Sequence, residues 1–226
     1  MSSPVPAPAS AITPDPATDG KRIFKIALTG GPCGGKTTLL PQARALLQGL
    51  GCTVLTINEA VTELYGNGLH RSHRVPNRLF VYTVMHQQFF KEQLYLYAAR
   101  EMAGTGPVAI LCDRGLPDGR AYFEDWPQWE RWAEELGCSF EQIRSSYAGA
   151  VHLVTAAQGA EEHYNLANEA RFESTEQARI QDRRVFEQWQ GHPRLAVIEN
   201  GDDGFEGKLN RALAAVERIA KETSYE

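Results

Sequence analysis

Short apolar runs alternate along the chain with longer segments whose apolar positions repeat every three or four residues. The apolar runs are nearly continuous, which indicates strands covered on both faces. They are Ile23–Thr29, Cys52–Ile57, Pro107–Cys112, Ala150–Thr155 and Leu195–Glu199. The longer segments predict helices over Lys36–Leu50, Asn77–Met102, Trp126–Leu136, Asn168–Trp189 and Phe205–Glu222. This alternation predicts an α/β fold, a five-stranded parallel sheet flanked by helices on both sides.

A glycine-rich segment separates the first predicted strand from the first predicted helix. Its sequence, GGPCGGKT (Gly30–Thr37), fits the pattern G-x-x-x-x-G-K-[ST] in the strand–loop–helix context that this motif requires. We expect Lys36 to reach the β- and γ-phosphates of a nucleotide and the Thr37 hydroxyl to ligate Mg²⁺. The alternative is an ordinary glycine turn before a helix. The expected nucleotide-binding residues are Gly30, Gly31, Pro32, Cys33, Gly34, Gly35, Lys36, Thr37 and Thr38.

Two carboxylates follow predicted strands at the edge of the sheet where the loop lies. Asp113 and Arg114 end the third strand, and Glu59 ends the second. Ligands of open α/β sheets bind at this edge. Asp113 is a candidate Mg²⁺ ligand, Arg114 a candidate for steadying the transferred group, and Glu59 or Asp113 a candidate base. The alternatives are two acidic residues that only favour the start of the following helices.

An arginine-rich segment follows the fourth predicted strand. Arg171, Arg179 and Arg183 lie on it, and the latter two share a helical face. Such a helix, part of a lid over about 158–190, can neutralise charge that develops during phosphoryl transfer and exclude water. Because acidic residues are interspersed, a solvated face with salt bridges is the alternative.

Composition narrows the classes of partner. The chain has 226 residues and a formal net charge of −5 without a long basic block, which disfavours nucleic acid as the main partner. No apolar stretch is long enough for a membrane span. The four cysteines are widely separated, as free thiols in a reducing compartment would be, and a cytoplasmic location is expected. Residues 1–20 read as a disordered tail before one P-loop domain over 21–226.

The strand-end Glu59, the Asp113-Arg114-Gly115 triplet and the arginine-bearing segment resemble the small-molecule P-loop kinases, notably deoxynucleoside kinases and nicotinamide riboside kinase. Longer stretches resemble the AAA-labelled P-loop family that includes the TRPL translocation defect proteins. These stretches are TGGPCGGKTT, DRGLPDGRAYF, HLVTAAQGAEEHY and DRRVFEQWQGHPRLAVIEN. The resemblance to the kinases implies a catalytic base at the first acidic residue, Glu59. The resemblance to the AAA-labelled family implies guanine-nucleotide binding, as in its animal members.

The resemblance to nucleoside kinases also implies an acceptor pocket in the insertion over about 60–106. Tyr82, His86 and Gln87 are the residues expected there to stack on and read an acceptor. The alternative is that the aromatic residues of this segment form core, as their helical spacing allows. In related kinases the loop after strand five lies beside the nucleotide base, so Asn200 is a candidate base contact, with a plain turn as the alternative.

Together these features predict a kinase that uses Mg²⁺ and ATP or GTP to phosphorylate a small hydroxylated metabolite, for which a nucleoside-like compound is one candidate. Two carboxylates across one site favour group transfer over binding alone. A slow GTP- or ATP-binding regulator whose nucleotide state is read by a partner is the alternative. A nucleotide hydrolase is the third hypothesis, and a homodimer is left open.

Overall fold

The computed structural model describes residues 22–72, 74–102, 106–160 and 174–223. Five parallel strands form one sheet in the order β2-β3-β1-β4-β5. The strands are β1 (Ile23–Thr29), β2 (Thr53–Ile57), β3 (Val108–Asp113), β4 (Gly149–Leu153) and β5 (Leu195–Ile198). Because β1 lies in the centre, the loop that follows it is flanked by the carboxyl ends of β3 and β4.

Seven α-helices and one 3₁₀-helix lie in the described part of the chain. The α-helices are α1 (Lys36–Gly49), α2 (Ala60–Gly66), α3 (Asn77–Glu101), α4 (Trp126–Glu135), α5 (Phe140–Ser145), α6 (Thr175–Trp189) and α7 (Gly204–Thr223). The 3₁₀-helix spans Leu116–Tyr122, directly after β3. Among the described residues, none of the helices combines the length and the apolar character that crossing a membrane would require.

Alternate residues of β1 pack on opposite faces of the sheet, as the pleat of a strand dictates. Ile26 and Leu28 pack with α1 and α7 on one face. Ala27 packs with α3 and with Trp189 of α6 on the other face. Helices therefore cover both faces, which explains why the strand sequences are apolar without alternation.

The structure confirms the predicted fold class. Strand and helix limits lie within a few residues of those expected, except that α6 begins at Thr175, after its N-cap Ser174, and not at Asn168. The sequence pattern did not reveal α2, α5 or the 3₁₀-helix, because each is too short to develop a helical repeat. The predicted tail, Arg171 and the first part of the predicted arginine-rich helix lie outside the described residues.

Candidate active site

The loop between β1 and α1 depends on unusual backbone angles. Gly30 and Gly35 have φ of 127° and 101°, and Cys33 has φ of 54°, which is in the left-handed region. A Cβ on Gly30 would overlap the carbonyl oxygen of Leu153, so only glycine fits there. Close packing against the end of β4 therefore explains Gly30, while the left-handed φ of Gly35 and its contact with the Phe205 ring explain the second glycine that the motif requires.

Protein donors bind each carbonyl oxygen from Gly30 to Cys33. Lys36 Nζ donates to the oxygens of Gly30 and Gly31 at 3.0 and 2.8 Å. The Pro32 oxygen accepts from Thr155 Oγ1 at 2.6 Å, and the Cys33 oxygen accepts from the Ala156 N–H at 3.3 Å. The Pro32 and Cys33 oxygens are thus directed at the segment after β4, and the Gly30 and Gly31 oxygens at the Lys36 ammonium, so none of these carbonyls is left unpaired beside an anion that the loop could hold.

The N-terminus of α1 has the features of an anion site. Its N-cap is Gly35, which makes no side-chain cap, and its first turn has no acidic residue. By contrast, Asp125, Ser139 and Ser174 cap α4, α5 and α6 with their side chains. The free N–H groups and positive dipole end of α1 are thus available to a phosphate.

Lys36 is nearly buried, with 9% of its surface exposed. Burial lowers the pKa of its ammonium to about 8, and the nearby positive charge of Arg114 lowers it as well. Glu59, Asp113 and Asp118 act in the opposite direction. Lys36 is therefore a buried cation within a cluster of opposite charges.

Glu59 and Arg114 form an ion pair between the ends of β2 and β3. Arg114 Nε donates to Glu59 Oε1, and Thr62 Oγ1 donates to Glu59 Oε2 at 2.5 Å. Burial alone would raise the pKa of Glu59, but Arg114, Thr62 and Lys36 together lower it to about 2. Arg114 Nη1 also donates to the oxygen of Gly30 at 3.0 Å, so the guanidinium joins Glu59 to the glycine loop.

Asp113 has the less paired carboxylate of the two. Burial raises its pKa, and the charge of Glu59 raises it further, while Lys36 and Arg114 oppose both effects. Asp113 and Thr37 line the same cavity. A carboxylate and a hydroxyl are oxygen donors of the kind that Mg²⁺ takes, usually with water and phosphate oxygens completing its shell. The predicted Mg²⁺ ligands therefore fit the ion by donor type.

One cavity of about 1510 Å³ joins these groups. Its middle is lined by Lys36, Thr37, Glu59, Asp113 and Arg114. One end is lined by the loop after β5 and the start of α7, namely Asn200, Gly201, Asp202, Phe205 and Lys208. The other end is lined by α2, α3 and neighbouring residues, namely Tyr65, His70, Arg71, Phe80, Val81, Val84 and Tyr122. Because β2 and β5 are the opposite edges of the sheet, these two sets of lining residues lie on opposite sides of the charged centre.

The three residues expected to bind an acceptor lie elsewhere on α3. Tyr82, His86 and Gln87 are not among the described residues that line the cavity. The Tyr82 ring lies 3.8 Å from that of His86 and packs edge-on against Trp132, while Gln87 donates to Glu63. The cavity is lined instead by Tyr65 and Phe80, whose ring centroids are 5.6 Å apart.

Asn200 lies at the end of the cavity where it was expected, but protein groups hold its side chain. Its Nδ2 donates to the oxygens of Thr155 and Gln158, and its Oδ1 accepts from Lys208 Nζ at 2.9 Å. Of the arginines expected in the lid, Arg179 donates to the oxygen of Ala157 at 2.5 Å, and Arg183 is exposed on α6. Gly30 and Gly31, unlike the rest of the loop, do not contribute to the described cavity wall.

Sequence reasoning missed the buried groups that support the loop. Thr155 contacts it through both its hydroxyl and the adjacent backbone, and Asp182 accepts from the Gly31 N–H. Asp118 is buried and accepts from Thr29, Trp189 and Arg114. In the sequence, each of these residues is recognisable only as a polar side chain at a position of a helix, or near the end of a strand, where an apolar side chain would be expected.

Comparison with known proteins supports the fold and identifies a family. A family model described as an AAA domain matches residues 25–206. Among solved structures, the chain is similar to thymidylate kinase from Ehrlichia chaffeensis, with a TM-score of 0.56 over 88% of this chain and 99% of that chain. The two sequences are 13% identical, so this likeness concerns the fold. No curated protein matches the sequence.

Proposed function

The chain belongs to the AAA domain family, as the match over residues 25–206 shows, and we propose that it is a P-loop kinase. It transfers a phosphoryl group from a Mg-nucleotide to a small hydroxylated metabolite, with a nucleoside-like compound as a candidate. The observation that carries this proposal is the cavity, in which the loop after β5 and the α2–α3 region lie on opposite sides of a charged centre that includes Lys36 and Glu59. We call the β5 side the donor compartment and the α2–α3 side the acceptor compartment. A kinase needs space for a donor and an acceptor on either side of the transferred group.

The donor compartment combines the glycine loop with the base-side wall formed by Phe205 and its neighbours. Lys36 and the N-terminus of α1 would hold the phosphates, and Thr37 and Asp113 would hold Mg²⁺. The ion, when bound with a nucleotide, neutralises charge on the phosphates. The use of ATP or GTP as the donor is a prediction. Membership of the branch of the family that contains the TRPL translocation defect proteins is also a prediction.

Glu59 is suited to orient the hydroxyl of an acceptor. Its ion pair with Arg114 keeps the carboxylate ionised at neutral pH, since its pKa is about 2. Such a weak base accepts a hydrogen bond from the hydroxyl and takes the proton late, when bond formation to phosphorus has made that hydroxyl acidic. Arg114 then remains beside the loop, where it stabilises negative charge on the transferred group.

The acceptor compartment has an aromatic and apolar wall with one cation at its rim. Tyr65, Phe80 and Val84 offer a surface on which a flat ring can pack, and the exposed Arg71 lies beside them. This composition supports an acceptor with an unsaturated ring. We expect the protein to act in the cytoplasm; a homodimer also stays a prediction.

A mass-spectrometric transfer assay tests the proposal. The purified protein is mixed with a pooled metabolite extract and MgATP or MgGTP, and Lys36→Ala serves as the blank. A metabolite that gains one phosphoryl group only with the intact protein supports the kinase and identifies its acceptor.

Two other outcomes would contradict the proposal. Tight nucleotide binding without any phosphorylated product in a broad pool favours a regulator whose nucleotide state is read by a partner. Rapid release of inorganic phosphate without an acceptor favours a hydrolase.

A further inference from the structure

Asp182 of α6 is a buried carboxylate directly behind the glycine loop. Its Oδ1 accepts from the N–H of Gly31 at 2.6 Å and from the N–H of Thr155 at 3.2 Å. The side chain is nearly buried, with 5% of the residue exposed. One oxygen atom therefore joins the first turn of the loop to the segment that follows β4.

The fit between Asp182 and Gly31 is close. A Cβ on Gly31 would lie 2.6 Å from Asp182 Oδ1 and 2.7 Å from Asp182 Cβ. Glycine at this position is thus required by α6, in addition to any requirement of the motif. The contact also explains how a carboxylate can sit near an anion-binding loop, because its charge is directed at two backbone N–H groups.

Asp182 acts from the side of the loop that faces away from the cavity. Neither Asp182 nor Gly31 belongs to the described cavity wall, whereas Pro32 to Thr38 do. Thr155, the second residue that Asp182 holds, donates its hydroxyl to the oxygen of Pro32. Asp182 therefore fixes the loop directly at Gly31 and indirectly, through Thr155, at Pro32.

A second observation argues for a specific role of this carboxylate. The neighbouring His152 is buried to 1% exposure, its Nε2 lies 3.4 Å from Asp182 Oδ1, and neither ring nitrogen has a hydrogen-bond partner among the described residues. Asp182 Oδ1 thus accepts from the N–H groups of Gly31 and Thr155 and not from the imidazole of His152. The geometry at Asp182 serves the loop at the expense of a nearby polar group.

We propose that Asp182 is a positioning residue that sets the conformation of the phosphate loop. This proposal rests on the nucleotide binding that the proposed function includes. Without the carboxylate, the N–H groups of Gly31 and Thr155 lose their acceptor, and the first turn of the loop moves. The phosphates of a nucleotide then bind to a loop that must be ordered at the moment of binding.

Titration calorimetry with MgATP and MgGTP on the full chain tests this role. Asp182→Ala is expected to raise the Kd of whichever nucleotide binds by about tenfold or more, the effect of losing a charge-assisted hydrogen bond. Asp182→Asn is expected to restore most of the affinity, because its side-chain oxygen still accepts from both N–H groups. Val185→Ala is the matched control, because Val185 is buried on the same helix. This substitution should lower the melting temperature but change the Kd by less than about twofold.

The outcomes separate this proposal from the one on which it rests. If the wild-type protein binds neither nucleotide, the proposed function fails and this role fails with it. If the wild type binds but Asp182→Ala keeps the wild-type Kd while melting earlier, Asp182 is a structural residue and the proposal is overturned.

A measurement on the wild type serves if Asp182→Ala does not fold. Amide hydrogen exchange by NMR at Gly31 reports the bond to Asp182 directly. Slow exchange in the nucleotide-free protein supports the proposal, and exchange at the rate of an unprotected loop amide overturns it.

Discussion

Arg114 has a backbone conformation that a residue with a long side chain rarely adopts. Its φ is 71°, and such a residue costs on the order of 1 kcal/mol or more. Its N–H donates to the oxygen of Leu28, and its own oxygen accepts from Gln88. These contacts, together with Glu59 and Gly30, hold the guanidinium between the base candidate and the phosphate loop. The strained angle thus serves to direct this side chain.

Glu59→Gln tests the role of this pair at the level of one atom. The amide keeps the shape of the side chain but cannot take a proton, so we expect phosphoryl transfer to fall by about 10²-fold or more. Nucleotide affinity should stay within a few-fold, because Glu59 does not belong to the loop. Initial rates and calorimetric Kd values measure the two effects.

Glu141→Gln is the control for Glu59→Gln. Glu141 also pairs with an arginine, Arg144, but neither residue belongs to the described cavity wall. We expect transfer within about threefold of wild type for this variant. Equal rates for wild type and Glu59→Gln would remove Glu59 from the mechanism.

Lys208 predicts a pH dependence of stability. Burial lowers the pKa of its ammonium to about 8, although Nζ donates to the oxygens of Val154 and Asn200. Between about pH 8 and 10.5 the unfolded chain then binds one more proton than the folded chain, so this residue makes stability rise with pH. Below pH 8 the folded protein carries the full cost in stability of burying the charged ammonium of Lys208.

Urea unfolding of wild type and Lys208→Met across this pH range measures the contribution. The free energy of unfolding of the wild type should gain up to about 3 kcal/mol relative to the variant as pH rises from 8 to 10.5. Other titrating groups cancel in this difference. Parallel curves for the two proteins would show that Lys208 keeps its ordinary pKa.

At the scale of elements, α3 is attached to the sheet by a buried polar network. Lys25 of β1 pairs with Glu92 of α3 at 2.8 Å, and both side chains are 3% exposed. Tyr147 donates to Glu92 at 2.6 Å, and Gln88 donates to Glu92 at 2.8 Å. Because Gln88 also donates to the oxygen of Arg114, the network extends from the core to the candidate site.

Glu92→Gln is expected to destabilise the fold strongly. The substitution leaves the Lys25 ammonium buried without its counter-charge, which typically costs about 3 to 5 kcal/mol. Lys221→Gln, at the exposed pair with Glu217, is the control and should cost less than about 1 kcal/mol. Chemical denaturation monitored by tryptophan fluorescence compares them; a similar small loss in both variants would contradict the assignment.

The elements were predictable from the sequence because apolar period and glycine placement are local properties. The strand–loop–helix around Lys36 is one example, and the strand-end positions of Glu59 and Asp113 follow from it. The direction in which a helix face points depends on packing against other segments, so the local sequence does not reveal it. The period of α3 shows that Tyr82 and His86 share a face, but only packing against Trp132 turns that face away from the cavity.

Contacts between distant segments were equally beyond the sequence. Asp182 is separated from Gly31 by about 150 residues, and no pattern in either segment indicates that the two meet. On α6, Asp182 looked like one of several acids among arginines. Its burial decides its role, and burial depends on how α6 packs behind the loop.

At the scale of the whole molecule, the cavity draws its walls from both sides of the sheet. One end of the cavity depends on the loop after β5 and on α7, and the other end on α2 and α3. In the proposed function these ends hold the donor and the acceptor. Substitutions at the two ends should therefore affect the two substrates separately.

Tyr65→Leu and Tyr82→Leu distinguish the proposed acceptor wall of the cavity from the acceptor residues expected from sequence. Tyr65 lines the cavity, so we expect its substitution to raise the KM for the acceptor by about tenfold without a change in nucleotide Kd. Tyr82→Leu should leave both constants within about threefold. Steady-state kinetics with the acceptor found in the transfer assay measure these constants. A raised KM for Tyr82→Leu and an unchanged KM for Tyr65→Leu would show that Tyr82 binds the acceptor and Tyr65 does not.

The central place of β1 also has a consequence for synthesis on the ribosome. β1 leaves the exit tunnel first, yet its neighbours β3 and β4 follow about 85 and 120 residues later. At 5–20 residues per second, the nearer partner arrives after roughly 4 to 17 s. During that interval β1 has neither neighbour to pair with, so its apolar side chains and unpaired backbone groups are open to pairing with other chains.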